Sequence, residues 1–260
     1  GFLSHEDDSI SECCIPSAGL YINKLKAMGT LSEPHQKSLM DLAQILRKKM
    51  TYYEEEYDFA NKGEPEELFD QFRKNIGKLF KNIARVLPER MAGFVKEHIA
   101  NIANVPTFDI EVNLHMVYIL GEAIHSNEVQ IKATTPYFQD IMRILITSQV
   151  ASHPHNAISY VFFQNVVRYC KCIARDSQLI TQALATFCDV RGVMHPRSSE
   201  RQLRSYLFAR FCKQMRSRLR PLLGEIITTL LPIISTNGQV PNFDDAKLKI
   251  YEAIGLLVGN

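Results

Sequence analysis

The sequence predicts an all-α fold, an α-solenoid of about five stacked helix pairs plus one unpaired helix. Three observations carry that expectation. Apolar residues recur at helical spacing through nearly all of the 260 residues. Strand-like alternation bounded by tight-turn pairs is absent, and the Asn237-Gly238 dipeptide lies between two helical patterns. After one longer first interval, the starts of alternate helices recur every roughly 44 residues, which is the period of two-helix repeats.

Taken in order, the first helix is expected over residues 9–28, with Pro16 as a kink or a late start. Ser32 is placed to cap a helix through residue 50. After an acidic connection come helices at 65–87 and 88–104, whose prolines Pro65 and Pro88 sit where a first turn tolerates them. Thr107 is the expected cap of a helix to residue 124, with Asp109 and Glu111 near its positive end. The remaining helices are expected at 136–150, 154–174, 177–190, 199–215, 218–234 and 243–258. First members of successive pairs begin near Ser9, Pro65, Asp109, His155, Ser199 and Asp244, the pattern of HEAT-type units. In the last helix Leu248, Tyr251, Ile254 and Leu257 form an apolar face with no later helix to cover it. The first helix lacks the polar outer surface of a capping repeat. Both features predict that residues 1–260 are an internal segment of a longer solenoid.

Composition narrows the function classes. Hydrophobic residues make up 46% and charged residues 22%, enough to build a core rather than a disordered chain. No apolar run approaches the roughly 18 residues of a membrane span. The greasiest stretch, 222–234, is interrupted by Gly224, Glu225, Thr228, Thr229 and Pro232. The six cysteines lie in apolar helical contexts without C-x-x-C spacing and read as reduced and buried. No metal or cofactor is expected. The phosphate-cradling glycine loop, G-x-S-x-G and H-E-x-x-H are all missing, and the chain reads as a non-enzyme. His153-Pro154-His155 opens a helix and reads as a capping feature, and Cys188 with His195 lacks an orienting third group.

Two stretches concentrate charge. Residues 191–220 hold about nine Arg and Lys against one acid, Glu200, in a chain whose net charge is +2. Residues 52–70 hold about eight acids against Lys62, with aromatic residues interleaved, in the longest interruption of the repeat.

The second stretch also carries a resemblance. Lys48-Lys49-Met50-Thr51-Tyr52-Tyr53-Glu54-Glu55-Glu56-Tyr57-Asp58-Phe59 and Phe72-Arg73-Lys74 resemble the tRNA-exportin (exportin-T) family of the importin-β, or karyopherin, superfamily. Further similarity lies at Phe163-Gln164-Asn165-Val166-Val167-Arg168-Tyr169, at Asp189-Val190-Arg191-Gly192, at Arg204-Ser205-Tyr206-Leu207-Phe208-Ala209-Arg210-Phe211 and at Ile250-Tyr251-Glu252-Ala253-Ile254-Gly255. The blocks keep the family's order across nearly the whole chain. The resemblance implies an internal fragment of a HEAT-repeat receptor that carries tRNA out of the nucleus with RanGTP and shuttles between nucleus and cytoplasm past nuclear pore components. A karyopherin or scaffold that binds protein cargo only is the alternative.

The resemblance sets the tasks for the charged residues. Arg191, Arg197, Lys213, Arg216 and Arg220 are candidate tRNA phosphate contacts, the last three sharing a face if the helix continues past Met215. Arg forks pair well with phosphate oxygens. Arg210 falls beside the stripe Leu203, Leu207, Phe211, Met215 and is expected to be packed and ion-paired. Glu54, Glu55, Glu56 and Asp58 are candidate contacts to Ran or to another repeat of the same protein.

Overall fold

The computed structural model describes residues 2–52, 63–124, 128–235 and 244–259, and the candidate acids Glu54, Glu55, Glu56 and Asp58 lie outside them. Among the described residues every regular element is a helix and none is a strand. No described helix is long and apolar enough to cross a membrane. The all-α solenoid pattern of paired helices is the observed architecture. Contacts divide the chain into a unit through Tyr137 and a unit from Phe138 onward.

The first unit opens with α1 (Asp8–Cys13) and α2 (Ile15–Ala27), broken at Cys14, so Pro16 sits in the first turn of α2. Asp7 caps α1 by accepting from the Ser9 N–H. Then come α3 (Glu33–Met50), α4 (Glu64–Val86), α5 (Pro88–Ile99) and α6 (Thr107–Ile124). Ser32 precedes α3, but its hydroxyl meets the His35 ring at 3.0 Å rather than capping a backbone N–H. Thr107 is likewise already inside α6, where the Pro106 carbonyl accepts the first helical bond from Ile110 at 2.9 Å.

Helix α4 organises this unit. It lies between α2 and α6 in one layer and also touches α3 and α5. Its inward residues Phe72, Ile76, Leu79, Phe80, Ile83 and Ala84 are buried. Helix α6 is apolar around most of its circumference and is correspondingly buried on most sides.

Helix α7 (Glu128–Thr147) differs from expectation. It starts eight residues before Pro136, which therefore lies inside it. Proline there removes one backbone donor and crowds the preceding turn. In that turn the hydroxyls of Thr134 and Thr135 donate to the carbonyls of Gln130 (2.7 Å) and Ile131 (2.6 Å), adding side-chain bonds where the ladder is interrupted. The division between the two units falls within α7, just beyond Pro136.

The second unit contains α8 (Asn156–Tyr169), α9 (Ser177–Cys188), α10 (Ser198–Gln214), α11 (Arg216–Leu219), α12 (Leu223–Ile234) and α13 (Asp244–Val258). Asp176 caps α9 by accepting from Leu179 N–H at 3.1 Å. Helices α8, α10 and α13 form one layer, while α9 and α12 touch behind it. Phe163, Phe187, Phe208 and Phe211 join α8, α9 and α10, with ring centroids 4.8 Å apart for Phe163–Phe187 and 5.0 Å for Phe187–Phe211.

Two helix faces differ from expectation. Because α10 is flanked by both α8 and α13, it buries two sides instead of one stripe. Leu203 is 43% exposed and Arg210 is exposed, its guanidinium 5.8 Å from the Tyr206 ring, while Arg201 and Arg204 are buried. In α13 the inward residues are Ala246, Ile250, Ala253 and Leu257, so Leu257 is covered. Leu248 (63%) and Tyr251 (50%) stay exposed.

Candidate functional site

The stretch 191–220 resolves into three groups of cations. Arg204 is 1% exposed and donates to the Arg191 carbonyl and, at 3.2 Å, to Glu200. Arg201 donates to the carbonyls of His195 (2.8 Å) and Pro196 (2.9 Å). These two arginines bind the loop before α10 to its first turns and belong to the scaffold. Arg204 also lies 5.7 Å from the Phe163 ring. Its burial works against its charge, and its pKa falls despite the partly offsetting Glu200 carboxylate.

The loop itself is closed by Asp189. That carboxylate accepts from the backbone N–H of Arg191 (2.8 Å) and from its side chain (2.9 Å), forming an ion pair at 2.5 Å. Arg191 is thus half-buried and already holds an acid. Gly192 is required at the bend, since a Cβ there would lie 2.0 Å from the Phe187 carbonyl oxygen.

The remaining cations are Arg197, Arg210, Lys213, Arg218 and Arg220, all exposed, with Arg216 half-buried. They do not form the row expected of one continuous helix. The backbone breaks at Met215 (φ −105°, ψ 15°), α11 lasts four residues, and Pro221 follows in a 3-10 turn. Arg216 instead approaches the C-terminal end of α13, its Nη2 3.8 Å from where a Cβ on Gly259 would sit. A cation is favoured there by the carbonyl end of the helix dipole. Arg210 and Arg218 join the exposed set, although neither was a phosphate candidate by sequence.

In the first unit, the two flanks of the acidic connection meet a buried polar node. Arg73 on α4 donates to Glu111 on α6 through both terminal nitrogens, at 3.1 and 2.5 Å, and to the Tyr52 hydroxyl at 2.7 Å. Tyr52 in turn donates to Asp70 at 3.3 Å, and its ring lies tilted against Phe69 with centroids 5.0 Å apart. Burial opposes the Arg73 charge, but Glu111 and Tyr52 outweigh it and raise its pKa. Asp109, also read as a helix-end acid, pairs with Arg47 at 2.5 Å. Both acids of the first turns of α6 are therefore ties between helices.

Beside that node, α4 and α6 enclose an open groove of about 610 Å³, lined among others by Lys74, Gly77, Lys78, Lys81, His115 and Ile119. Lys74 and Lys78 are exposed along α4, and Lys81 bridges the groove to Glu122 at 3.1 Å. Arg85 continues the same face, because residues at i, i+4, i+7 and i+11 lie one above another on a helix. This row escaped the reading of local charge. Its spacing was the signal that could have found it.

Among the described residues no group of three or more His, Cys, Asp or Glu side chains is arranged to hold a metal. His153 and His155 act together at the start of α8, the His153 ring accepting from the His155 N–H at 3.1 Å. Burial pushes the Cys188 thiol up to about 12, far from a thiolate at neutral pH.

Comparison with known proteins places this geometry in context. The family model described as Exportin-T matches residues 1–258. Among curated relatives, Exportin-T of Mus musculus and of Homo sapiens are each 33% identical over 273 residues, covering 99% of this chain. Exportin-T of Arabidopsis thaliana is 28% identical and covers 92% of the chain. The chain spans about 28% of the length of the mouse and human relatives. Among solved structures, the crystal structure of an engineered protein shares the fold with a TM-score of 0.50 at 10% identity, covering 98% of this chain and 93% of its own.

Proposed function

This chain belongs to the exportin-T family, and on that premise we propose that it is part of a nuclear export receptor that carries tRNA together with RanGTP. The receptor is non-catalytic, shuttles between nucleus and cytoplasm, and engages nuclear pore components on the way. The observation that carries the reading is the family match along residues 1–258. The exposed cations around α10 and α11 add physical support. A-form RNA offers phosphates and ribose hydroxyls rather than readable base edges, so a surface rich in cations suits it.

In this reading Arg197, Lys213, Arg216 and Arg220 meet tRNA phosphates. Arg191 divides its charge between the phosphate and Asp189. Glu54, Glu55, Glu56 and Asp58 meet basic surface on Ran or on another repeat of the receptor.

The test is tRNA binding by the full-length protein with and without RanGTP. Binding should require or be strengthened by RanGTP, and replacing Lys213, Arg216 and Arg220 by Glu should weaken it and flatten its salt dependence. Neutralising the four acids should lower the RanGTP stimulation. Binding of protein cargo with no tRNA affinity under either condition would overturn the reading.

A further inference from the structure

We propose that the groove between α4 and α6 is a second RNA-backbone site, in which Lys74 and Lys78 neutralise successive phosphates. The inference rests on the tRNA reading above and adds a surface in the other unit of the chain.

The geometry supports it in three steps. The face bearing Lys74, Lys78, Lys81 and Arg85 runs about 16 Å along α4, long enough for several phosphates of one strand. At the far end Lys81 is held by Glu122, and at the near end Arg73 is held by Glu111 and Tyr52. Between those ends, Lys74 makes no ion pair among the described residues, and Lys78 meets only the neutral Asn75 amide oxygen, at 3.0 Å. Asp70, one turn before Lys74, also lines the groove, yet neither Lys74 nor Lys78 forms an ion pair among the described residues.

The shape selects the class of anion. Gly77 keeps the floor low, and Ile119 lies 3.9 Å from where its Cβ would be. The groove is partly open to solvent, so an RNA strand can reach Lys74 and Lys78 from outside. Tyr118 lines it but is half-buried, while Lys74 and Lys78 stand exposed, which suits contact to the sugar-phosphate strand.

The experiment measures transfer RNA binding by the full-length protein with RanGTP across a salt series, comparing wild type with the Lys74→Glu/Lys78→Glu pair. The expected result is a loss of about tenfold or more near 0.1 M salt. The slope of log affinity against log salt should fall by about 1.5 to 2. If the Glu pair melts at a lower temperature than wild type, the Lys74→Gln/Lys78→Gln pair decides, with the same slope change and a smaller loss. Wild-type tRNA binding with unchanged affinity and slope in the variants overturns the groove and leaves the tRNA reading standing. Absence of tRNA binding by wild type overturns both. Loss of RanGTP binding with tRNA affinity retained makes the groove a protein-docking surface and overturns the proposal.

Discussion

Arg73 and Glu111 face each other across α4 and α6 through two hydrogen bonds, 2.5 and 3.1 Å long, with both side chains almost wholly removed from water. Such a pair is held in place by the cost of disrupting it. Arg73→Met leaves Glu111 as an uncompensated buried charge and should destabilise the protein by about 3–5 kcal/mol. The double replacement Arg73→Met/Glu111→Leu should recover most of that loss. Urea unfolding of the two variants side by side checks both values.

Gly192 and Gly255 should respond oppositely to alanine. A Cβ at Gly192 would overlap the Phe187 carbonyl at 2.0 Å, whereas one at Gly255 meets nothing within 4 Å. Gly192→Ala should therefore destabilise by more than about 2 kcal/mol, since backbone must move. Gly255→Ala, inside α13, should stabilise by about 0.5–1 kcal/mol. Thermal melting of the two variants gives the signs directly.

His115 lies half-buried at the groove wall, and its pKa is held well below the ordinary 6.5 by burial and then by Arg73 and Lys81. Below pH 6.5 the unfolded chain takes up a proton that the folded chain refuses. Stability from this group is full above pH 6.5 and falls with decreasing pH, by up to about 1.4 kcal/mol per pH unit. His115→Gln should show a shallower decline in urea midpoint between pH 7 and 5 than wild type.

Six free cysteines should separate by accessibility. Cys13 is exposed, whereas Cys170, Cys188 and Cys212 are buried. Burial raises the Cys170 and Cys188 thiols from 9.0 to about 12 and moves Cys212 upward as well. A thiol-specific reagent at pH 8 should label Cys13 within minutes and these three only after denaturation. The folded state keeps protons that the unfolded state gives up above pH 9.0, so this contribution to stability is full below pH 9.0 and is lost as pH rises toward about 12.

The helical framework was legible because it depends on local pattern. Pro88 and Ser177 begin helices where expected, and the break near Pro16 falls at Cys14. Apolar spacing, capping residues and proline constraints each act within a few residues of where they are read. Pro136 misled for the converse reason: a proline is equally at home in a first turn, and hydroxyl bonds from Thr134 and Thr135 accompany it inside a helix. Less of the candidate site was legible. The total charge of residues 191–220 was plain, but summing charge along the chain concealed the α4 lysine face, because Glu64, Glu66, Glu67 and Asp70 precede it on the same helix.

By itself, the sequence determined the all-α class, the pairing of helices at a near-constant period and the two regions of opposite charge. Tertiary structure alone decided which cations are exposed. One helical period names a single inward face, yet α10 lies between α8 and α13 and buries two. That exchange puts Arg204 in the interior and Arg210 in solvent. Glu111 was read as serving its own helix end, and its partner is Arg73, 38 residues away. Spacing along a helix specifies which residues share a face, but the partner of a buried charge is set by whichever helix is packed opposite it.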